Sequence, residues 1–136
     1  MTIAVDTSVL VRYRTWDDPK QAAEAACEIE AATSIVVSTI VLCELVWVLR
    51  RAYRATIEEI AGAIRRLIVT RTVELDRPAT EAGLAMLARG ADFADVVIEH
   101  EANRARCDRI VIFGQTFVRL LTNASAQPSR KPVDPK

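Results

Sequence analysis

The acidic residues best suited to chemistry fall at three separate places in the chain. Asp6 follows the apolar run Ile3-Ala4-Val5, Glu44 lies within a second apolar run, and Asp92 and Asp95 stand three residues apart. Carboxylate oxygens are hard ligands of the kind that Mg²⁺ and Mn²⁺ prefer. Ions held in this way position a phosphodiester, activate water and stabilise the leaving oxygen. The residue types therefore indicate a divalent-metal site that the fold must assemble.

Asp6 ends a predicted β-strand. The run Ile3-Ala4-Val5 shows no polar alternation, as expected of a parallel strand covered on both faces. In open α/β sheets, ligands bind outside the carboxyl ends of the strands, which is where Asp6 would stand. The alternative is that Asp6 only caps a helix beginning near Val9, with Thr7 and Ser8 offering hydroxyls at the helix start. Asp6 alone does not separate these interpretations.

Glu44 is predicted to be a buried carboxylate. It lies within Ile40–Leu49, with apolar neighbours on every side of the predicted helix and no polar face before Arg50. A carboxylate buried alone costs roughly several kcal/mol unless it is neutralised, paired or bound to a cation. An ion pair with an arginine of another helix would satisfy this need. We favour a metal ligand, because buried acids concentrate at functional sites.

Asp92 and Asp95 are predicted to share one face of the first turn of a helix. The helix dipole favours both as anions at that end. Capping is the ordinary role for Asp92. Asp95 stands between Ala94 and the run Val96-Val97-Ile98, an apolar setting that again requires a cation.

Alternation of strands and helices predicts parallel β-α units. Strands are predicted at 3–5, 34–38, 72–75 and 109–113, and helices over about 9–13, 19–32, 40–53, 57–68, 78–90, 93–106 and 117–121. The inner face of the second helix is assigned to Ala22, Ala23, Ala26 and Ile29. Thr56 and Glu59 form a capping-box pattern. The ordered domain is expected to span 1–122, and the Ser/Pro/Lys-rich tail 123–136 is expected to be disordered.

The overall charge excludes bulk electrostatic attraction to nucleic acid or membrane. The chain has 136 residues and a formal net charge of +0, with 51% hydrophobic and 26% charged residues, which suits one globular domain. Fifteen of the eighteen basic residues are arginine, whose planar guanidinium group binds phosphate better than the ammonium group of lysine does. Arg12, Arg14 and Arg50 are the predicted phosphate contacts for a nucleic acid, although solvated surface arginine is the ordinary alternative for each.

Cysteine usage predicts a reducing compartment. Cys27, Cys43 and Cys107 are odd in number, far apart and within apolar helical patterns, which favours reduced core thiols in the cytoplasm over disulfides or zinc. No signal peptide is visible, and Ile40–Leu49 is too short to span a bilayer.

Three motifs together resemble the PIN domain, and more closely the VapC-type toxins of bacterial toxin–antitoxin pairs. They are Asp6-Thr7-Ser8, the segment around Glu44, and Asp92-Phe93-Ala94-Asp95. The resemblance covers about residues 1–122 and implies a three-layer α/β/α sandwich with a short parallel sheet. It also implies a Mg²⁺- or Mn²⁺-dependent ribonuclease, a homodimer, and a cognate VapB-like antitoxin whose tail covers the site.

The resemblance also implies residue roles. Asp6, Glu44 and Asp95 match the family's catalytic, metal-binding acids. Asp92 is a plausible accessory ligand, and Thr7 or Ser8 matches the hydroxyl position beside the first acid.

One position departs from the family pattern. The family usually carries a fourth acid after the last strand, where this chain has Gly114. The next residue, Gln115, offers a neutral carbonyl oxygen as a metal ligand instead. Two hypotheses therefore stand. The chain is a metal-dependent endoribonuclease toxin, or it is a catalytically weakened PIN-like module that acts mainly by binding its antitoxin.

Other chemistries fit less well. His100, the single histidine, lies mid-helix, and the chain has no nucleophile elbow, so a Ser–His–Asp relay is disfavoured and a helix-surface or interface position is expected. None of the three lysines suits a receiver domain, and no Gly-rich phosphate loop is present. Trp16, Trp47 and Tyr53 are predicted to be core or interface residues rather than base-stacking platforms.

Overall fold

The structure, a computed structural model, describes residues 1–111. These form two compact units, Met1–Thr80 and a second that begins at Glu81. In chain order the elements are β1 (Thr2–Ala4), α1 (Thr7–Thr15), α2 (Pro19–Ala31), β2 (Ser34–Val36), α3 (Thr39–Arg51), α4 (Ile57–Val69), β3 (Val73–Glu74), α5 (Arg77–Leu87) and α6 (Phe93–Arg104).

The strands of the first unit form a short parallel sheet in the order β1-β2-β3. Ile3 lies opposite Ile35, and Ile35 in turn lies opposite Val73. Parallel neighbours need long crossover connections, and the helices between these strands supply them. The described chain is thus mostly helical around a short parallel sheet, which confirms the predicted α/β class.

Side-chain caps set the starts of the helices close to the predicted positions. Asp18 caps α2 ahead of Pro19. At α4, the Glu59 amide donates to Thr56 Oγ1 at 3.1 Å and the Thr56 amide donates to Glu59 Oε1 at 2.9 Å, which confirms the capping box. Asp76 Oδ1 accepts from the Ala79 amide at 3.1 Å at the start of α5. Local hydrogen bonding therefore explains why these boundaries could be predicted.

The core of the first unit is built from α3 and α4. Leu42 of α3 is fully buried. Ile60 and Ile64 of α4 are fully buried too, as their spacing of four residues along the helix predicts. The prediction for α2 is partly wrong. Ala22 and Ala25 are the buried residues, while Ala23 is exposed because it lies about 100° around the helix from Ala22.

Two other burial predictions are wrong. Ala4 of β1 is exposed because it opens onto a cavity of about 730 Å³, so β1 is not covered on both faces within the described residues. Trp16 and Trp47 are 48% and 60% exposed, so a core position is wrong for both, while an interface position stays a prediction. His100 is half-buried on α6.

The second unit holds the start of α6 in place through a close contact. Phe93, the first residue of α6, is 2% exposed and packs on Gly83 of α5. A Cβ atom added at Gly83 would stand 2.6 Å from the Phe93 ring. Only glycine therefore allows this approach, which positions the acidic first turn of α6.

Cysteine and membrane predictions have mixed outcomes. No disulfide joins Cys27, Cys43 or Cys107 in the described part of the chain. The expectation that all three are core thiols is wrong, because Cys27 and Cys107 are exposed. Among residues 1–111, every helix is too short or too polar to cross a membrane.

Several predictions fall at or beyond the end of the described range. Residues 109–111, the start of the predicted fourth strand, carry no strand. The rest of that strand, Gly114, Gln115, the predicted helix over 117–121, the domain boundary at residue 122 and the tail 123–136 lie outside the described residues.

Candidate active site

Asp6 stands directly beyond β1 and caps α1. Its Oδ1 atom accepts from the Val9 amide at 3.1 Å and from Ser8 Oγ at 2.8 Å. The Ser8 hydroxyl, and next the Val9 amide, lower the pKa of Asp6 below its usual range, so the exposed side chain is a carboxylate at neutral pH. Both bonds end on Oδ1 rather than Oδ2. Asp6 can therefore cap α1 through Oδ1 and bind an ion through Oδ2.

A hydrogen bond between α1 and α3 brings the second acid to the first. Thr7 Oγ1 donates to Glu44 Oε1 at 2.9 Å. Since Thr7 follows Asp6 directly, this bond places the Glu44 carboxylate beside the carboxyl end of β1. Thr7, one of the predicted hydroxyls, thus links the Asp6-Thr7-Ser8 motif to Glu44, which lies 38 positions after Asp6 in the sequence (44 − 6).

The prediction that Glu44 is buried is wrong, because its side chain is exposed. The apolar residues around it divide between two faces of α3. Val41, Leu42 and Leu45 are buried, whereas Ile40 and Trp47, which share the face of Glu44, are 73% and 60% exposed. An apolar run thus fills the outward face of α3 as well as its inward face. Because water reaches the Glu44 side chain, no compensating buried charge is needed.

Arg12, one of the predicted phosphate contacts, is held in a hydrogen-bonded network. Its Nε donates to Gln21 Oε1 at 2.8 Å, and its Nη1 donates to Asp17 Oδ1 at 3.2 Å and to the Tyr53 hydroxyl at 3.3 Å. The Tyr53 hydroxyl donates in turn to Asp17 Oδ2 at 2.6 Å. Arg12 therefore ties α1 to α2 and to the residues after α3, next to the two acids.

Two cavities lie beside α1, and both include Ser8 and Arg12 in their walls. The larger, about 730 Å³, lies along β1, α1 and α2, with Glu24 and Glu28 on its α2 side. The smaller, about 530 Å³, lies between α1 and α3 and is lined by Thr7, Glu44, Trp47 and Tyr53, among others. A ligand in the smaller cavity would touch Glu44 and its Thr7 partner directly.

The other predicted acids belong to the second unit. Asp92 is exposed and caps α6, with its Oδ1 accepting from the Asp95 amide at 3.1 Å. Burial, and then the neighbouring Asp92 charge, raise the pKa of half-buried Asp95. Partial burial thus disfavours the ionised form of Asp95, in line with its position before the apolar run Val96-Val97-Ile98.

The remaining predicted contacts lie apart from this geometry. Arg14 lines a separate groove of about 350 Å³ with Arg66 and Leu45, and Arg50 is an exposed residue near the end of α3. Their contact with a nucleic acid stays a prediction. Gln115 lies outside the described residues.

Glu99 was missed in the sequence. It is 7% exposed, and Asn103 Nδ2 donates to Oε2 at 2.9 Å and to Oε1 at 3.1 Å. The available signal was its position four residues after Asp95, on the same face of α6. Glu24 and Glu28 in the larger cavity were missed too, since their spacing on α2 is that of any solvated helix face.

Comparison with known proteins decides the family. The PIN domain profile matches residues 3–120, most of the chain. The chain belongs to the PIN domain family. PIN domains are typically nucleases and generally use divalent metal ions, so a hydrolytic, nucleic-acid-cleaving enzyme is the activity that this family indicates. A search of curated proteins gave no match.

The donor set of this PIN domain fits a divalent ion. Within residues 1–111, no group of three or more acidic, histidine or cysteine side chains is placed to enclose a metal. Mg²⁺, however, usually retains several waters and is bound by one or two carboxylates together with substrate phosphates. The exposed pair Asp6 and Glu44, backed by Thr7 and Ser8, matches that open form of coordination.

Proposed function

We propose that this PIN domain is the toxin of a VapC-type toxin–antitoxin pair and cleaves RNA with Mg²⁺ or Mn²⁺. The observation that carries the proposal is the bond from Thr7 Oγ1 to Glu44 Oε1, which fixes one of the family's acidic positions to the residue that follows the other, Asp6. Support also comes from the Ser8 and Val9 hydrogen bonds to Asp6, which lower the pKa of this carboxylate and hold it in place.

Each residue has a proposed role. Asp6 and Glu44 would hold the ion, with Asp95 as the third catalytic ligand and Asp92 as an accessory. When bound, the ion would supply positive charge to the phosphodiester and lower the pKa of water. Ser8 and the Val9 amide fix the Asp6 carboxylate, and Thr7 fixes that of Glu44. The site is thereby organised before substrate arrives, which reduces the reorganisation needed during the reaction.

The biological setting is part of the proposal. We propose a homodimer in the cytoplasm, neutralised by a cognate VapB-like antitoxin whose tail covers the acidic site. Support for this setting is the resemblance of the three motifs to VapC-type toxins, together with three cysteines that form no disulfide in the described chain.

Gly114 favours a second candidate function. This glycine stands where the family usually carries an acid, so the chain would have one carboxylate fewer for the ion. In that case the protein would be a weakened nuclease that acts mainly through antitoxin binding.

Cleavage of a mixed single-stranded RNA, with Mn²⁺ or Mg²⁺ and with a chelator, distinguishes the two. The variants are Asp6→Asn, Glu44→Gln and Gly114→Asp, with Glu58→Gln as the control for loss of an exposed acid. The toxin hypothesis predicts metal-dependent cleavage by the natural chain that is lost in Asp6→Asn and Glu44→Gln and kept in Glu58→Gln. Cleavage only by Gly114→Asp would favour the second candidate, and no cleavage by any variant would contradict the nuclease proposal.

A further inference from the structure

The outward face of α3 combines one acid of the site with an exposed aromatic residue. Ile40, Glu44, Trp47 and Arg51 follow one another at spacings of four, three and four residues, which places them on one stripe of the helix. Trp47 is 60% exposed, one turn beyond Glu44. An indole so exposed is unusual because its large apolar surface favours burial.

Trp47 is also a wall of the cavity that contains Glu44. The residues that line this cavity of about 530 Å³ include Thr7, Glu44, Trp47 and Tyr53. Along the helix axis, Trp47 lies about 4.5 Å from Glu44 at 1.5 Å per residue. Because a carboxylate repels phosphate, Glu44 would hold the scissile phosphate only through the proposed divalent ion, and a base stacked on the indole would belong to that nucleotide or to an adjacent one.

Arg51 adds a cation at the same place. Its guanidinium carbon lies 5.6 Å from the centroid of the Trp47 ring, within cation–π range. A guanidinium is also the side chain best shaped to grip a phosphate. The pair therefore offers the two elements that bind single-stranded nucleic acid without sequence preference, an aromatic surface for a base and a positive charge for the backbone.

From this arrangement we infer that Trp47 and Arg51 form a binding site for one unpaired nucleotide of the RNA substrate, next to the scissile phosphodiester. The inference rests on the proposed nuclease function and names its substrate class as single-stranded RNA. Bases within a duplex are already stacked on their neighbours, so only an unpaired base presents a free face to the indole.

A second copy of the chain is the competing occupant of this face. Trp47 is flanked along the stripe by Glu44 and Arg51, and a protein partner that covered it would have to desolvate both charges. The cores of protein interfaces are depleted in charged residues, whereas nucleic-acid interfaces are polar and wet. The charge pattern thus favours RNA, and self-association becomes an outcome of the test.

The test measures binding of a fluorescein-labelled, single-stranded oligouridylate to the full chain by anisotropy, with a chelator present so that binding is separated from cleavage. Trp47→Leu keeps apolar bulk without an aromatic face, and Trp47→Phe keeps an aromatic face. Ile40→Ala is the matched control, because Ile40 is 73% exposed on the same stripe but does not line the cavity. In a Trp16→Phe background, the remaining tryptophan fluorescence reports on Trp47 alone.

We expect Trp47→Leu to weaken binding about 5-fold to 140-fold, the range for loss of one base–aromatic stack. Trp47→Phe should remain close to the natural chain, Ile40→Ala should be unchanged, and RNA should quench Trp47 fluorescence. Unchanged binding by Trp47→Leu, or an equal loss in Trp47→Phe, would overturn the inference. A shift from dimer to monomer in sedimentation by both Trp47→Leu and Ile40→Ala would instead assign the face to a second copy.

Cleavage assays separate this inference from the proposed function. If the natural chain cleaves RNA and Trp47→Leu does so with the same KM, the nucleotide site is wrong and the nuclease stands. If the natural chain binds RNA through Trp47 but neither it nor any variant cleaves RNA, the proposed nuclease function is wrong and the nucleotide site at Trp47 is supported. Failure of the natural chain to bind any single-stranded RNA would overturn the inference.

Discussion

The Thr7 hydroxyl donates a hydrogen bond of 2.9 Å to Oε1 of Glu44, joining the first residue of α1 to the middle of α3. This single contact places the Glu44 carboxylate of the second motif beside Thr7, the residue that follows Asp6. It also orients Glu44, whose exposed side chain would otherwise sample several rotamers.

Removal of this contact should affect activity more than stability. Thr7→Val keeps the shape of the side chain and removes the donor, and a solvent-accessible bond of this type is worth about 0.5–1.5 kcal/mol. We expect a loss of stability within that range, measured by urea unfolding, and a clear fall in kcat for RNA cleavage. Thr7→Ser should restore both. A Thr7→Val variant with the natural kcat would show that the bond does not organise the site.

The two roles of Asp6 can be separated by substitution. Asparagine caps helices about as well as aspartate, so Asp6→Asn should change the free energy of unfolding little while abolishing cleavage. Asp6→Ala should lose cleavage and also about 0.5–2 kcal/mol of stability, because the α1 cap is lost. Thermal unfolding of the three proteins, beside their cleavage rates, checks both points. An active Asp6→Asn variant would reduce Asp6 to a cap.

Arg12 is expected to act mainly on stability. Its guanidinium donates to Gln21, Asp17 and Tyr53, and loss of this largely solvent-accessible network should cost about 0.5–1.5 kcal/mol in Arg12→Ala. Arg12→Lys should not rescue, because an ammonium lacks the planar fork. Arg14→Ala is the matched control on the same helix and should change stability by less than about 0.5 kcal/mol. Equal effects of the two alanine variants on unfolding would argue against the network.

Two helical glycines should respond in opposite directions to alanine. A Cβ atom at Gly83 would stand 2.6 Å from the buried Phe93 ring, so Gly83→Ala should destabilise the protein by about 1–3 kcal/mol. A Cβ atom at Gly62 meets nothing within 4 Å, so Gly62→Ala should stabilise it by about 0.5–1 kcal/mol. Denaturation midpoints decide the point. Stabilisation by Gly83→Ala would contradict the close packing of Phe93 on α5.

Asp95 should make stability fall as pH rises. Its pKa is raised by burial and by the Asp92 charge, so the folded chain holds the proton more tightly than the unfolded chain. Its contribution is fully present below the ordinary aspartate pKa of about 3.9 and is lost as pH rises through the raised value. Asp95→Asn should therefore raise Tm at pH 7 and lose that advantage at pH 3.5. An equal change at both pH values would show that ionisation of Asp95 is not responsible.

Local patterns predicted the elements well, and burial poorly. Caps such as Asp6, Asp18 and Thr56 depend on residues a few positions apart, so the sequence contains the whole interaction. The exposure of Glu44 could not be predicted, because it depends on which face of an apolar helix the rest of the fold covers. Sequence order likewise could not reveal that Thr7, rather than an arginine, is the partner of Glu44.

The most direct test of the account is calorimetric titration of Mn²⁺ into the natural chain, Asp6→Asn, Glu44→Gln and the control Glu58→Gln. We predict saturable binding by the natural chain and Glu58→Gln. Each of the other two variants should lose more than the roughly 10- to 100-fold in affinity that loss of an outer-shell partner causes. Equal Mn²⁺ affinity in all four proteins, or no binding by the natural chain, would contradict a metal site built on Asp6 and Glu44.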